Sequence, residues 1–317
     1  MVNNVVFLIN RSEKTAGTRG SSLGPDAIMT VAKQRGSNIF EENKVQVLQN
    51  VNHYLDHPTQ FPRAKFIDGT LDIYNELNQE VSKLLNRESF PFILAGDHGS
   101  AGGTIAGNKT AYPDKRLGVV WVDAHADIHT PYTSPSGNIH GMPLATALGI
   151  DNLECKIHDV DELTAAYWDQ LKTVGSPAPK ILPEDIVYVA VRDIEAQESA
   201  IITRLNIKTI DIAYVRDNGI DKTVEVINSH LSHCDIIYVS FDVDSMCPIL
   251  SSYGTGTPVE NGLDPEEAKD ILVSLAKNPK TICVEVVEVN PCLDRKINTM
   301  AEIALGIIEA VVSTIKK

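Results

Sequence analysis

The chain has 317 residues, 43% of them hydrophobic and 22% charged, the composition of an ordinary globular protein with room for a large core. Its 28 basic and 42 acidic residues give a net charge of −14, and with no local basic patch such a surface repels nucleic acid. No run of 18 apolar residues is present to span a bilayer, and the apolar stretch at 5–9 is too short for a secretory signal, so neither membrane insertion nor export is expected.

Apolar, β-branched runs predict strands at 5–9, 45–48, 90–95 and 117–122, and again at 186–191, 235–241 and 282–287. They lack strict alternation, as central strands covered on both faces do. Between them, Ile73, Leu77, Val81 and Leu84 recur at helical spacing and give the segment 71–85 one apolar face. Asp264, followed by Pro265, Glu266 and Glu267, reads as an N-cap, a first-turn proline and two dipole-complementing acids, opening a helix to about Lys277. A last helix is expected over 297–315. This βα rhythm, undivided by any repeat or long polar linker, predicts a single α/β domain over 1–317, three layers α/β/α around a mostly parallel sheet. Loops near 10–26, 129–141 and 245–262 are long enough to carry a site. Five cysteines, an odd number with no CxxC pair, fit reduced thiols in a cytoplasm.

Four segments concentrate the unusual polar residues, and each follows a predicted strand, where open α/β sheets bind ligands. The first, Gly96-Asp97-His98-Gly99-Ser100, is ambiguous alone, since an ordinary glycine turn capped by Asp97 would look the same. In the second, Asp123, His125 and Asp127 alternate directly after the run 117–122, so an extended chain turns all three to one side. Oxygen and imidazole donors suit Mn²⁺, Fe²⁺ or Zn²⁺. The third places Asp242 and Asp244 at the end of another strand, where two desolvated like charges raise each other's pKa or recruit a cation. The fourth, Glu285-Val286-Val287-Glu288-Val289-Asn290-Pro291, carries a carboxylate to a strand end that Pro291 stops. Two histidines and four aspartates from three strand ends make the donor count of a two-metal site bridged by carboxylates.

These segments resemble the GGDHS, DAHxD, SFDVDxxDP and ExxEVNP motifs of the arginase and agmatinase group of ureohydrolases, in the same order and spacing from Gly24-Pro25 to about Pro291. The arginase branch is the most similar. The resemblance implies two Mn²⁺ per chain, one held by His98, Asp123, Asp127 and Asp242, the other by His125, Asp123, Asp242 and Asp244. It implies hydrolysis of L-arginine to L-ornithine and urea by a hydroxide held between the metals, with Asp127 passing its proton to the leaving amine and Glu288 pairing the guanidinium. Ser136 and Asn138 match substrate-carboxylate contacts of the arginase loop, His140 its proton shuttle, Glu198 an acid of the α-amino subsite, and Thr255 an element near the guanidinium. The partner implied is a small cationic guanidino compound, and the assembly a homotrimer or homohexamer.

Three positions depart from that pattern. His129 stands where arginases usually have an asparagine that binds the α-carboxylate, Glu195 where they have an aspartate at the α-ammonium, and Cys247 where SFDVDxxDP has its last aspartate. No metal ligand is affected, but a sister ureohydrolase acting on another guanidino or formimino compound remains an alternative. So does a non-catalytic ligand-binding protein of the same fold. A dinucleotide enzyme is disfavoured because GxGxxG is missing.

Overall fold

The structure, a computed structural model, describes residues 4–316. Eight strands, β1 (Val5–Asn10), β2 (Lys44–Val47), β3 (Phe90–Ala95), β4 (Leu117–Val122), β5 (Ile186–Val189), β6 (Lys208–Ile210), β7 (Ile236–Asp242) and β8 (Thr281–Val287), form one sheet. The spatial order is β2-β1-β3-β8-β7-β4-β5-β6 and every pairing is parallel. Successive strand residues feed opposite cores, Val5, Phe7 and Ile9 lying in one and Val6 and Leu8 in the other. That two-sided burial explains why these strands read as continuous apolar runs.

The first core is covered by α1 (Gly24–Arg35), α8 (Ile212–His230), α9 (Pro265–Ala276) and α10 (Thr299–Ile315), with Ile39 of the short α2 (Ile39–Glu42) packed into it. The second lies under α3 (Ile67–Leu85), α4 (Ala101–Ala111), α5 (Pro143–Leu148) and α6 (Glu162–Thr173), with α7 (Ala196–Leu205) at its margin. Helix α9 starts as its sequence dictates: the Glu267 amide donates to Asp264 Oδ1 at 2.8 Å and the Asp264 amide to Glu267 Oε2 at 2.9 Å. Such a reciprocal cap is worth about 1 kcal/mol.

Some boundaries differ from those expected. The strand at 45–48, read as central, is the exposed edge strand β2, whose four residues are all partly or fully exposed because only β1 pairs with it. The strand expected over 186–191 ends at Val189, since Ala190 turns left-handed at φ 73°. The last helix begins two residues late because Ile297 and Asn298 also have positive φ. Strand β6 escaped notice: three residues with one buried side chain leave almost no pattern.

Helix α4 carries three glycines and survives because they are its contact with α3. A Cβ at Gly103 would lie 2.8 Å from Tyr74 Cα, and one at Gly107 2.7 Å from Val81 Cβ. Gly103→Ala is therefore expected to destabilise the fold by about 1–3 kcal/mol despite alanine's better helix propensity, because backbone rather than a flexible side chain must yield. Urea unfolding midpoints of wild type and variant measure this; an unchanged or raised midpoint would show that the two helices can part without cost.

Candidate metal centre and active site

The central neighbours β3, β8, β7 and β4 end at the same edge of the sheet, and their C-terminal ends deliver His98, Glu288, Asp242 and Asp123. Chain segments up to 190 residues apart thereby meet, as the His98 amide donating to Glu288 Oε1 at 2.9 Å shows. Asp97 works behind them as a scaffold. Its carboxylate accepts from Ser12 Oγ at 2.7 Å, the Thr15 amide at 3.1 Å and the Ser100 amide at 3.3 Å, fastening the 10–26 loop over the end of β3.

His98 stacks on Trp121 with ring centroids 4.0 Å apart and planes 5° from parallel. Its Nε2 pairs with Ser240 Oγ at 2.8 Å, and its Nδ1 faces Asp123 Oδ2 at 3.0 Å, Asp127 Oδ2 at 3.1 Å and Asp242 Oδ2 at 3.2 Å. The second histidine repeats the arrangement: His125 Nδ1 lies 3.4 Å from Asp123 Oδ1 and 3.2 Å from Asp244 Oδ2. Asp123 thus presents one oxygen to each histidine. The aspartates are in turn oriented, Asp123 by Trp121 Nε1 at 2.9 Å and the His125 amide at 2.7 Å, Asp242 by the Asp244 amide at 2.8 Å, and Asp244 by Thr257 Oγ1 at 2.8 Å.

Two divalent cations fit this donor set. His98 Nδ1 is buried and makes no hydrogen bond although three carboxylate oxygens surround it, the situation of a nitrogen whose lone pair ligates while its other ring nitrogen is held by a neighbour. The electrostatics agree. Burial, then Asp244 and Asp123, push the Asp242 carboxyl well above the carboxylate range, and burial with the Asp123 charge raises that of Asp127. Burial would also raise Asp123, but His125 and His98 outweigh it and hold that group low. Four carboxylates gathered in low dielectric carry a repulsion that metal charge relieves.

Asp127 and Glu288 both have left-handed backbones, φ 49° and 66°. For non-glycine residues that costs of order 1 kcal/mol each, strain typical of functional positions. Glu288 is 3% exposed, and burial followed by the Asp97 charge raises its carboxyl. Beside the cluster opens a cavity of about 300 Å³ whose lining includes His125, Asp127, His129, Ser136, Asn138 and His140, together with Glu195 and Glu198. His140 is half-buried there, and burial followed by the nearby His125 lowers its imidazole to about 4. The Asn138 amide oxygen accepts from Lys65 Nζ at 3.0 Å, and Ser136 Oγ accepts from the Asn138 amide at 3.1 Å.

Thr255 is a correction. It sits in the wall, 1% exposed, with a hydroxyl that meets no partner, and it does not line the cavity. Thr257 does, while holding Asp244. In Gly254-Thr255-Gly256-Thr257 the two threonines are indistinguishable by sequence. Asp193 and Ser134 also line the cavity without having been singled out, Asp193 lying 3.7 Å from His125 Nε2. The departures His129 and Glu195 touch each other: His129 Nε2 pairs with Glu195 Oε2, with Glu198 Oε2 3.6 Å away, and Thr133 Oγ1 lies 3.1 Å from the other ring nitrogen. Cys247 is buried, a free thiol.

A parallel α/β sheet with a carboxylate–imidazole cluster at its carboxyl edge fits a metal-dependent hydrolase, and comparison with known proteins places the chain further. The model of the arginase family matches residues 3–313. The arginase of Bacillus subtilis is 35% identical over 297 residues, 92% of each chain, and that of Brevibacillus brevis 33% over 300 residues, 93% of each. A Bacillus subtilis arginase structure superposes with TM-score 0.81 at 32% identity over 98% of each chain, and an Entamoeba histolytica arginase solved with L-ornithine with TM-score 0.80 at 26%, covering 100% of this chain and 98% of that one. The chain belongs to the arginase family. A formimidoylglutamase from Bacillus subtilis and a hypothetical agmatinase from Burkholderia thailandensis, at 18% and 22% identity, share the fold. No helix among the described residues is long and apolar enough to cross a membrane.

Proposed function

We propose that this protein hydrolyses L-arginine to L-ornithine and urea with two Mn²⁺, one held by His98, Asp123, Asp127 and Asp242 and the other by His125, Asp123, Asp242 and Asp244, as a cytoplasmic homotrimer or homohexamer. The observation that carries the reading is the junction of this cluster with a cavity whose other lining groups suit an amino acid. There Ser136 and Asn138 offer a hydroxyl and an amide to a carboxylate, and Glu195 and Glu198 offer acids to an ammonium.

Divalent cations held by these six residues would supply the activation of water toward neutrality that a resonance-stabilised guanidinium needs. The residues supply the rest. Glu288, anchored on the His98 amide, orients the guanidinium through charge-assisted hydrogen bonds. Asp127, whose carboxyl burial has raised, is suited to hold the attacking water's proton and release it to the leaving amine. His140, neutral through the physiological range, relays protons between the cavity and solvent.

One observation favours a sister substrate: His129 already occupies the Glu195 carboxylate that an α-ammonium would use. Arginine binding must break that pair, so weakened apparent affinity is expected, and agmatine, lacking the carboxylate that Ser136 and Asn138 would bind, should be worse still. Replacing His129→Asn together with Glu195→Asp frees the acid and should raise kcat/KM for arginine by roughly tenfold, the worth of one charge-assisted hydrogen bond. The ratio of kcat/KM for arginine over agmatine, measured before and after, decides. A wild-type ratio below one would transfer the substrate to a decarboxylated guanidine while leaving the chemistry in place.

A further inference from the structure

At the opposite edge of the sheet lies a second set of donors that arginine hydrolysis leaves unused. Asp185 immediately precedes β5, and His233 and Cys234 lie in the turn between α8 and β7. Asp185 Oδ1 is 2.8 Å from His233 Nε2 and 3.5 Å from Cys234 Sγ, and one donor atom from each of the three lies within 4.8 Å of the others. Asp185 and Cys234 are each 1% exposed, whereas the His233 side chain is 38% exposed and gives the group an opening to solvent. A further imidazole lies near them, outside the three whose donor atoms converge. The His230 ring meets that of His233 edge-on with centroids 6.4 Å apart, and its Nε2 is buried without a hydrogen-bond partner. In sequence these residues form His230-Leu231-Ser232-His233-Cys234, which comes together with Asp185 only through the parallel sheet.

We propose that Asp185, His233 and Cys234 form a second metal site, separate from the catalytic cluster and selective for Zn²⁺, with His230 able to complete a tetrahedron. The donor chemistry sets the selectivity: one thiolate, one or two imidazoles and one carboxylate match zinc, whereas manganese prefers the oxygen-rich set at the other edge. The contraction of donors toward one point is comparable to that in the catalytic cluster, where His98 Nδ1 lies 3.0–3.2 Å from three carboxylates. Arg116 is no obstacle. Its Nε contacts Asp185 Oδ1 at 2.8 Å and its Nη2 contacts Glu184 at 2.9 Å, so the guanidinium keeps Glu184 and can take the second Asp185 oxygen when the first turns to the ion.

Binding is balanced by one proton. Burial and the Asp185 charge raise the Cys234 thiol to about 12, so at neutral pH it is protonated; a Zn–S bond forms as the S–H bond breaks, and the proton leaves to solvent. Cys234 lies just before β7 and Asp242 at its end, so the seven-residue strand, about 20 Å long when extended, separates this site from the catalytic one and they share no ligands. A bound ion would tie the turn before β7 to the start of β5 and stabilise the N-terminal edge of the sheet.

The test uses the manganese-loaded enzyme titrated with Co²⁺ as a spectroscopic stand-in for zinc. The catalytic cluster contains no sulfur donor, so a thiolate-to-cobalt charge-transfer band reports a cysteine site alone. One equivalent of band per chain is expected, displaced by Zn²⁺ and abolished in Cys234→Ser. Because Cys234 is buried, His233→Ala at an exposed position is the second variant, expected to weaken cobalt binding by at least 10–100-fold with manganese-dependent urea release retained. Zinc should raise the thermal midpoint of wild type and not of His233→Ala. Absence of the band in wild type, or a band of equal strength in folded Cys234→Ser, overturns the proposal. So does a His233→Ala protein with unchanged cobalt affinity.

Discussion

Asp242→Ala is expected to strip the enzyme of most of its metal and to abolish measurable urea release. Asp242 presents Oδ2 to His98 Nδ1 at 3.2 Å while its Oδ1 holds the Asp244 amide at 2.8 Å, so one side chain serves one donor group directly and orients the other. Residues that merely orient a ligand cost 10–100-fold in metal affinity when lost, and a shared ligand should exceed about 10²-fold. Asp242→Asn separates charge from shape, since the amide oxygen can still accept from the Asp244 amide while the carboxylate charge is gone. Metal per chain by elemental analysis, with urea release at saturating Mn²⁺, checks both variants. Retention of two ions per chain in Asp242→Ala would remove this residue from the metal centre.

The second large effect concerns His140. Burial and the neighbouring His125 lower its imidazole to about 4, so the ring is neutral above that pH and gains a proton only as pH falls through it. The proton relay proposed for it would therefore be available across the neutral and alkaline range and lost on the acid side, with the sign opposite to a histidine stabilised by an acid. Wild-type activity should rise from acid to mildly alkaline pH, and the part of the rise above neutrality must come from ionisation of water rather than of His140. His140→Ala should keep both metals and lose about 10²-fold in kcat, the lower end for a positioned general acid–base group. Small diffusible imidazoles should restore part of the loss. Equal turnover of wild type and variant at every pH would exclude His140 from the reaction.

Much of this arrangement was legible because the chemistry is carried on strand ends. Asp123, His125 and Asp127 announce a cluster in one line of sequence, but not because an extended chain turns them to one side. Residues 123–125 bend just past β4 and Asp127 is left-handed, so the loop rather than strand alternation brings them together. What the sequence does not contain is which strands are neighbours: β3, β8, β7 and β4 are adjacent in space although the chain visits them in another order. Motif resemblance singled out the six residues, His98, Asp123, His125, Asp127, Asp242 and Asp244, that the structure brings together. It failed between Thr255 and Thr257, where identical residues two apart face differently. It was silent on the pairing of His129 with Glu195, 66 residues apart, because a side-chain contact depends on rotamers that no periodicity reveals. The edge strand β2 misled for a different reason, since a short apolar run looks the same whether one or two neighbours pair with it.

The central claim is that these six donors bind two ions and that the pair is needed to release urea from arginine. Metal-free protein titrated with Mn²⁺, with bound metal and initial rate of urea release followed together, tests it most directly. The expected record is a rate that climbs with occupancy and saturates at two ions per chain, arginine being preferred to agmatine throughout. Urea release from the metal-free chain, or two bound ions with no urea released from either compound, would contradict it.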